Sequence, residues 1–351
     1  MHMADALLSP AVATTMYAAT AAAAGYSINK VRKDDNPAKL PVMAVTSALV
    51  FAGQMINYTI PGTGSSGHMC GGMLLSALLG PEAGFLSMIV ILAIQCLFFA
   101  DGGLMALGAN CWNMAFYGCF VGYYLIWRPM MKSKWFGEGH SAQRTRIIAA
   151  SLIGCIVTLQ LGAFSVVLET SLSGITELPF GAFCALMQPI HLAIGCIEGL
   201  ITSAVLVFVY ESRPELLMDV DAAESGEAKR SLKSVVAILA VVALVVGGGL
   251  SLLASSNPDG LEWALFGNAD SGYSTNMGLD EENFGVESNA AEKAGEIQEK
   301  TSFLPDYAFP GSDSAAGTTV SGIVGGLIVA AFALVICLIG GFFRRRGHQK
   351  E

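Results

Sequence analysis

The chain has 351 residues, 53% apolar and only 13% charged, with a formal net charge of −9. That balance excludes an ordinary soluble domain, in which about a quarter of residues are charged, and it offers no basic surface for nucleic acid. Long uncharged runs recur, each near the ~20 residues a helix needs to cross a bilayer core, so the reading is an all-α, polytopic membrane helix bundle.

The first run, 10–29, contains the small-residue stretch Ala18 to Gly25, which lets helices pack closely. Nothing basic precedes it, and Asp5 stands where a secretory signal carries positive charge. It therefore reads as an uncleaved first helix that keeps Met1 and His2. A second run follows at 40–57, and later ones at 82–100, 108–127, 147–169, 180–209, 234–254 and 319–342.

Between the second and third runs, Gly62-Thr-Gly64-Ser-Ser-Gly67 fits the pattern G-x-G-x-x-G. It follows a membrane span rather than a strand and lacks a βαβ unit, so it reads as a flexible loop leading into His68. No G-x-x-x-x-G-K-[ST] sequence occurs, and any ATPase belongs to another chain.

Basic residues set orientation. Clusters at Lys30–Lys39, Arg128–Arg146, Arg213–Lys233 and Arg344–Lys350 hold 17 of the 19 lysines and arginines. With all four in the cytoplasm, the stretch 58–107 must cross twice, which demands a short extra span from about Met69 to Leu79. Its length suits a segment shielded by neighbouring helices. The total becomes nine spans, about seven in a core plus two at the C-terminal end. The N-terminus then lies outside and the C-terminus in the cytoplasm. Residues 255–317, with twelve acids and two lysines, form an acidic outer loop, read as solvated and partly disordered.

Histidine at position two can offer its imidazole, its own amide nitrogen and the terminal amine to one ion. These make two fused chelate rings, and His68, on the same outer face by charge parity, would close a square. Four nitrogens in a plane suit Ni(II) or Cu(II) rather than Zn, Mg or Ca. The candidate ligands are Met1, His2 and His68. His140, His191 and His348 show no such arrangement.

Candidates for orienting these ligands are Asp5, Gln54, Asn57, Asp101, Asn110 and Asn113. Asp5 could hold a ligand imidazole or serve as a helix N-terminal carboxylate. Gln54 and Asn57, like Asn110 and Asn113, lie three apart and so would share a helix face. His191 and Glu198 lie seven apart on one face of the seventh crossing, and helix-to-helix hydrogen bonding is their expected role. The eight cysteines fall in or beside apolar spans and read as small packing residues.

Over Met1 to about Tyr210 the chain resembles the substrate-binding membrane subunit of nickel and cobalt energy-coupling-factor transporters, the NikM/CbiM family. The matching segments are Met-His-Met-Ala-Asp-Ala-Leu-Leu-Ser-Pro and Gln54-Met-Ile-Asn57 through Gly-Thr-Gly-Ser-Ser-Gly-His68-Met-Cys-Gly-Gly. Further matches are Phe-Ala-Asp-Gly-Gly at 99–103, Leu-Gly-Ala-Asn110-Cys-Trp-Asn113-Met and His191-Leu-Ala-Ile-Gly-Cys-Ile-Glu198-Gly. The resemblance implies metal ligation by the Met1 amine, the His2 amide and imidazole, and His68. It also implies a membrane coupling subunit and cytoplasmic ATPase subunits as partners. Ser256-Asn-Pro258-Asp-Gly-Leu-Glu262 is similar to the PDGLE segment of a small accessory subunit of such transporters. One departure is Ala6, where many relatives carry glycine.

The expected organisation is a core at 1–210, a cytoplasmic linker at 211–233, and an accessory region at 234–351. The expected function is capture of a transported divalent ion at the outer face of the cell's inner membrane, nickel before cobalt, with no resident cofactor and no catalytic residue. Two other readings are a membrane metalloenzyme using His68 with His191 and Glu198, and a passive metal sensor or scaffold.

Overall fold

The computed structural model describes residues 1–33, 39–175, 177–221, 228–269, 277, 279, 284–312 and 314–347, with backbone alone over 336–347. His348 and every side chain of the last basic cluster lie outside the described residues, as does the middle of the acidic loop.

A helix occupies each expected place. The core helices are α1 (Pro10–Val31), α2 (Lys39–Gln54), α3 (Gly72–Leu79), α4 (Pro81–Phe99), α5 (107–132), α6 (His140–Leu172) and α7 (Phe180–Ser212). The accessory region adds α8 (Leu232–Gly248), two short helices α9 (Gly260–Phe266) and α10 (Asn289–Thr301), and α11 (Ala316–Gly347). Among the described residues, five helical stretches are long and apolar enough to cross a membrane by length and composition: α4, α6, α7, Leu232–Leu253 and Ala316–Val335.

Small residues decide how the core closes. Gly195 and Gly199, four apart on α7, lie against α6, where added Cβ atoms would come within 2.9 Å of Ile156 Cα and 2.8 Å of Leu152 Cα. This is close backbone packing of the small-xxx-small kind. Gly72 of α3 and Gly118 of α5 meet in the same way. All eight residues of the short helix α3 are buried among its neighbours. The middle of α5, Cys111–Trp127, is wound as a π-helix. Its aromatics stand four apart and overlap along one face: Trp112 stacks on Phe116 at 3.9 Å, Phe116 tilts against Phe120, and Phe120 stacks on Tyr124.

The accessory helices share the main hydrophobic core. α8 and α11 pack on α2, Gly247 and Gly322 meet backbone to backbone, and Val235, Leu239, Val329 and Ala333 join the apolar cluster formed by the first seven helices.

Two expectations change at the end of the bundle that holds the N-terminus. The glycine-rich stretch is an ordered antiparallel hairpin, β1 (Tyr58–Ile60) with β2 (Ser65–Gly67), rather than a flexible loop. The accessory region fixes it: Ser66 donates its N–H to the Pro258 carbonyl at 2.8 Å, and Asn268 donates to the Gly64 carbonyl at the same distance. The described parts of 255–317 also fold back over this end through α9 and α10. Leu261, Trp263, Ala264 and Leu265 of α9 are buried. At the opposite end, Asp219 pairs with Arg128 and Lys132, and Glu211 with His140 and Lys229, which gathers described parts of two basic clusters there.

Candidate metal centre

The chain's first residues thread into the end of the bundle that carries the hairpin, held at Met3. Asn110 Oδ1 accepts the Met3 N–H at 2.8 Å, and its Nδ2 donates to the Met3 carbonyl at 3.2 Å. That carbonyl also accepts the Gly103 N–H at 2.8 Å. Asn113 donates to Glu169 at 2.8 Å and lies 3.6 Å from the Met3 sulfur. Asp5 accepts the Ala106 N–H at 2.9 Å, which ties the following turn, Asp5–Leu7, to the loop after α4.

This clamp brings His2 to His68. Their rings lie 5.3 Å apart and nearly perpendicular. The carboxylate on His2 is Asp101, with Oδ1 at 2.6 Å from Nδ1, while Asp5 serves the 103–106 backbone instead. The Tyr307 hydroxyl donates to the other Asp101 oxygen at 2.5 Å. His2 Nε2 is buried without a hydrogen-bond partner.

His68 follows β2 directly, and the turn beyond it is pinned by Glu198. The two carboxylate oxygens accept the N–H groups of Cys70 at 2.7 Å and Gly71 at 2.8 Å, and Gln54 donates to the Cys70 carbonyl at 2.7 Å. Gly71 needs no side chain here: its φ is +85° and Val50 fills the space a Cβ would take. His68 Nδ1 faces the Met69 carbonyl at 3.0 Å. A carbonyl only accepts, so Nδ1 carries the proton and Nε2 the lone pair.

The Met1 amine makes an ion pair with Asp259 of the accessory region, 2.7 Å away, with the amine-bearing residue 3% and the aspartate 16% exposed. His191 closes the floor. Its Nδ1 bonds the Met187 carbonyl at 2.8 Å and its Nε2 is buried without a partner. Met1, His68, Cys70, His191 and Asp259 line one small cavity. Among the described residues, no three His, Cys, Asp or Glu side chains are grouped to hold a metal ion.

The electrostatics follow from burial and pairing. Burial opposes the charge on the Met1 amine, but Asp259 outweighs it and holds the ammonium above its ordinary range. Burial alone would raise the Asp259 carboxyl; the ammonium and its hydrogen bond hold it well below the usual carboxylate range. At Asp101 burial is overcome by His2 and Tyr307, and the carboxyl lies at about 2. Burial, the ammonium and His2 lower His68 to about 4, so its imidazole is neutral.

A family model described as "Cobalt uptake substrate-specific transmembrane region", CbiM, matches residues 2–216. The chain belongs to the CbiM family. A second model, the PDGLE domain, matches residues 233–341. A fused nickel transport protein NikMN of Archaeoglobus fulgidus is 33% identical over 96% of this chain and 98% of its own length. Another NikMN, of Rhodobacter capsulatus, is 30% identical over 77% of this chain and 76% of its own. A crystal structure titled as a truncated transition metal transporter superposes with a TM-score of 0.51 at 33% identity, covering 60% of this chain and 99% of that one. The chain is thus a multi-pass membrane protein related to nickel and cobalt transport proteins, with a CbiM core fused to a PDGLE region.

Of the residues singled out from sequence, Met1, His2, His68, Asp101, Asn110 and Gln54 converge on this end, and Asp5 and Asn113 support the N-terminal clamp. Asn57 does not join them. The shared-face argument for Gln54 and Asn57 fails because α2 ends at Gln54, and Asn57 instead accepts the Ser255 N–H through its carbonyl at 2.7 Å. Sequence reading gives Asp259 and Tyr307 no place at the site, and it expects of Glu198 a helix-to-helix bond or a metalloenzyme role, whereas the fold sets Glu198 on the Cys70 and Gly71 N–H groups. Asp259 did carry a signal: with Glu262 three residues later it forms a capping box.

Proposed function

We propose that this chain captures a divalent transition-metal ion at the outer face of the cell's inner membrane, nickel first and cobalt second. It does so as the substrate-binding subunit of an ATP-driven importer. The observation that carries this reading is the burial of the Met1 amine and His2 beside His68. The names of the fused nickel transport relatives support nickel as cargo, and the CbiM description supports cobalt as the second choice.

The chemistry follows from the donor set. The amine and the His2 amide close one chelate ring on the ion, the amide and His2 Nδ1 a second, and His68 Nε2 supplies the fourth nitrogen. A planar field of four nitrogens favours Ni(II) and Cu(II). In the metal-free arrangement Nδ1 rests on Asp101, so capture turns the His2 ring from the carboxylate to the ion. The amine and the amide must both lose protons, which couples binding to proton release. A membrane coupling subunit and cytoplasmic ATPases then drive reorientation and release, docking at the end that carries the basic loops.

Glu198 offers little to a metalloenzyme reading, because both its oxygens are committed to the Cys70 and Gly71 amides. The deciding measurement is a titration of Ni(II), Co(II) and Cu(II) into the purified intact chain, beside His68→Ala and an alanine inserted between Met1 and His2. Tight, near one-to-one Ni(II) binding lost in both variants supports the proposal. Binding that survives both puts the ion elsewhere and refutes it.

A further inference from the structure

The accessory region reaches the proposed site at two points, through Asp259 on the amine and through Tyr307 behind Asp101. We infer that Asp259 is a positioning residue for metal capture, which holds the Met1 amine in its ligand position from the accessory side. This deepens the reading in which that amine is a ligand, and it rests on that reading.

The two oxygens of Asp259 do different work. Oδ1 accepts the N–H groups of Leu261 and Glu262, at 2.8 and 2.9 Å, and so caps α9. Oδ2 takes the terminal amine at 2.7 Å. One carboxylate therefore ties the accessory helix to the first atom of the chain.

Its register is set from the His68 side. Ser66 bonds the Pro258 carbonyl through its N–H and the Asn257 carbonyl through its hydroxyl, the latter at 2.7 Å. Asp259 and His68 are consequently carried on one hydrogen-bonded rail, each within two residues of Ser66 or its partner Pro258. Gly260 permits this approach, since a Cβ there would stand 2.6 Å from Ile190 and 3.2 Å from His191.

When an ion replaces the proton on the amine, the coordinated NH2 still has hydrogens to donate, and Asp259 Oδ2 is the acceptor already in place. Such an outer partner orients a ligand and raises its basicity, and its loss typically costs about 10- to 100-fold in metal affinity.

The test uses Asp259→Asn in the purified full chain, because asparagine caps a helix as well as aspartate does. Two quantities are read: Ni(II) affinity against a competing chelator, and the rate of mild acylation of the metal-free α-amine. The expected result is affinity weaker by about 10- to 100-fold and an amine labelled several-fold faster than in the unaltered chain. A purely structural capping role would move neither. Unchanged affinity and labelling, with the alanine insertion still abolishing binding, overturns the role of Asp259. Binding that survives the insertion overturns instead the underlying reading of the amine as ligand.

Discussion

Glu198→Gln is the sharpest single probe of how the bundle positions His68. The carboxylate accepts two buried backbone N–H groups, from Cys70 and Gly71, at 2.7 and 2.8 Å. A glutamine amide keeps one acceptor oxygen and presents its NH2 to the other N–H, so one buried donor loses its partner. That costs about 1–3 kcal/mol, and Glu198→Ala, which orphans both, about 2–6 kcal/mol on the same basis. The strain falls on the turn directly after His68, so the imidazole loses its fixed direction. If the cost is drawn from the binding-competent arrangement, ~1.4 kcal/mol per tenfold gives Ni(II) affinity lower by roughly 5- to 150-fold for Glu198→Gln. The assay pairs chelator competition with thermal unfolding followed by a thiol-reactive dye. Cys70, Cys96, Cys111, Cys119 and Cys155 are buried and free, and report opening of the bundle. Affinity within twofold of the unaltered chain, with an unchanged melting curve, would refute the argument that Glu198 sets the His68 turn.

Three further outcomes are expected. Gly199→Val drives a side chain into the Leu152 backbone, where even a Cβ would stand at 2.8 Å; overpacking of this kind costs about 1–3 kcal/mol, visible as earlier thiol exposure on heating. Asn110→Ala removes both bonds to Met3 and leaves its buried N–H without that acceptor, at about 1–3 kcal/mol; proteolysis or α-amine labelling of the metal-free chain should accelerate, and no acceleration would show that other contacts hold the N-terminus. Tyr307→Phe takes the hydroxyl from Asp101; a carboxylate without that bond holds His2 Nδ1 harder against the ion, so Ni(II) affinity should fall about fivefold in chelator competition, for a hydrogen bond worth ~1 kcal/mol, while the stacking of ring 307 on Phe99 keeps the fold intact.

The helices were legible because burial in lipid writes itself into runs of apolar residues, and the short α3 was legible because basic clusters must stay on one side. The meeting of Met1, His2 and His68 at one end was expected from the chemistry of His2 and from that same parity, and the fold does bring them together. What sequence hid is non-local. The hairpin has three-residue strands, Tyr58–Ile60 and Ser65–Gly67, too short for an alternating pattern, and its order comes from bonds to Pro258 and Asn268. Asp5 stood open between holding a ligand imidazole and serving as a helix N-terminal carboxylate, and the fold gives the imidazole to Asp101 instead. Asp259 was singled out only within the PDGLE-like segment, since nothing local reveals that its second oxygen meets a group 258 positions away.

That separation gives the site a clock. Met1 is made 258 residues before its partner. At about 5–20 residues per second of synthesis, the amine waits roughly 13–52 s before Asp259 exists. Through that interval the first seven helices can assemble around an N-terminus that still lacks its counter-charge. In a fused chain the partner then arrives on every molecule without a search, whereas a separately made accessory subunit would have to find the core by diffusion.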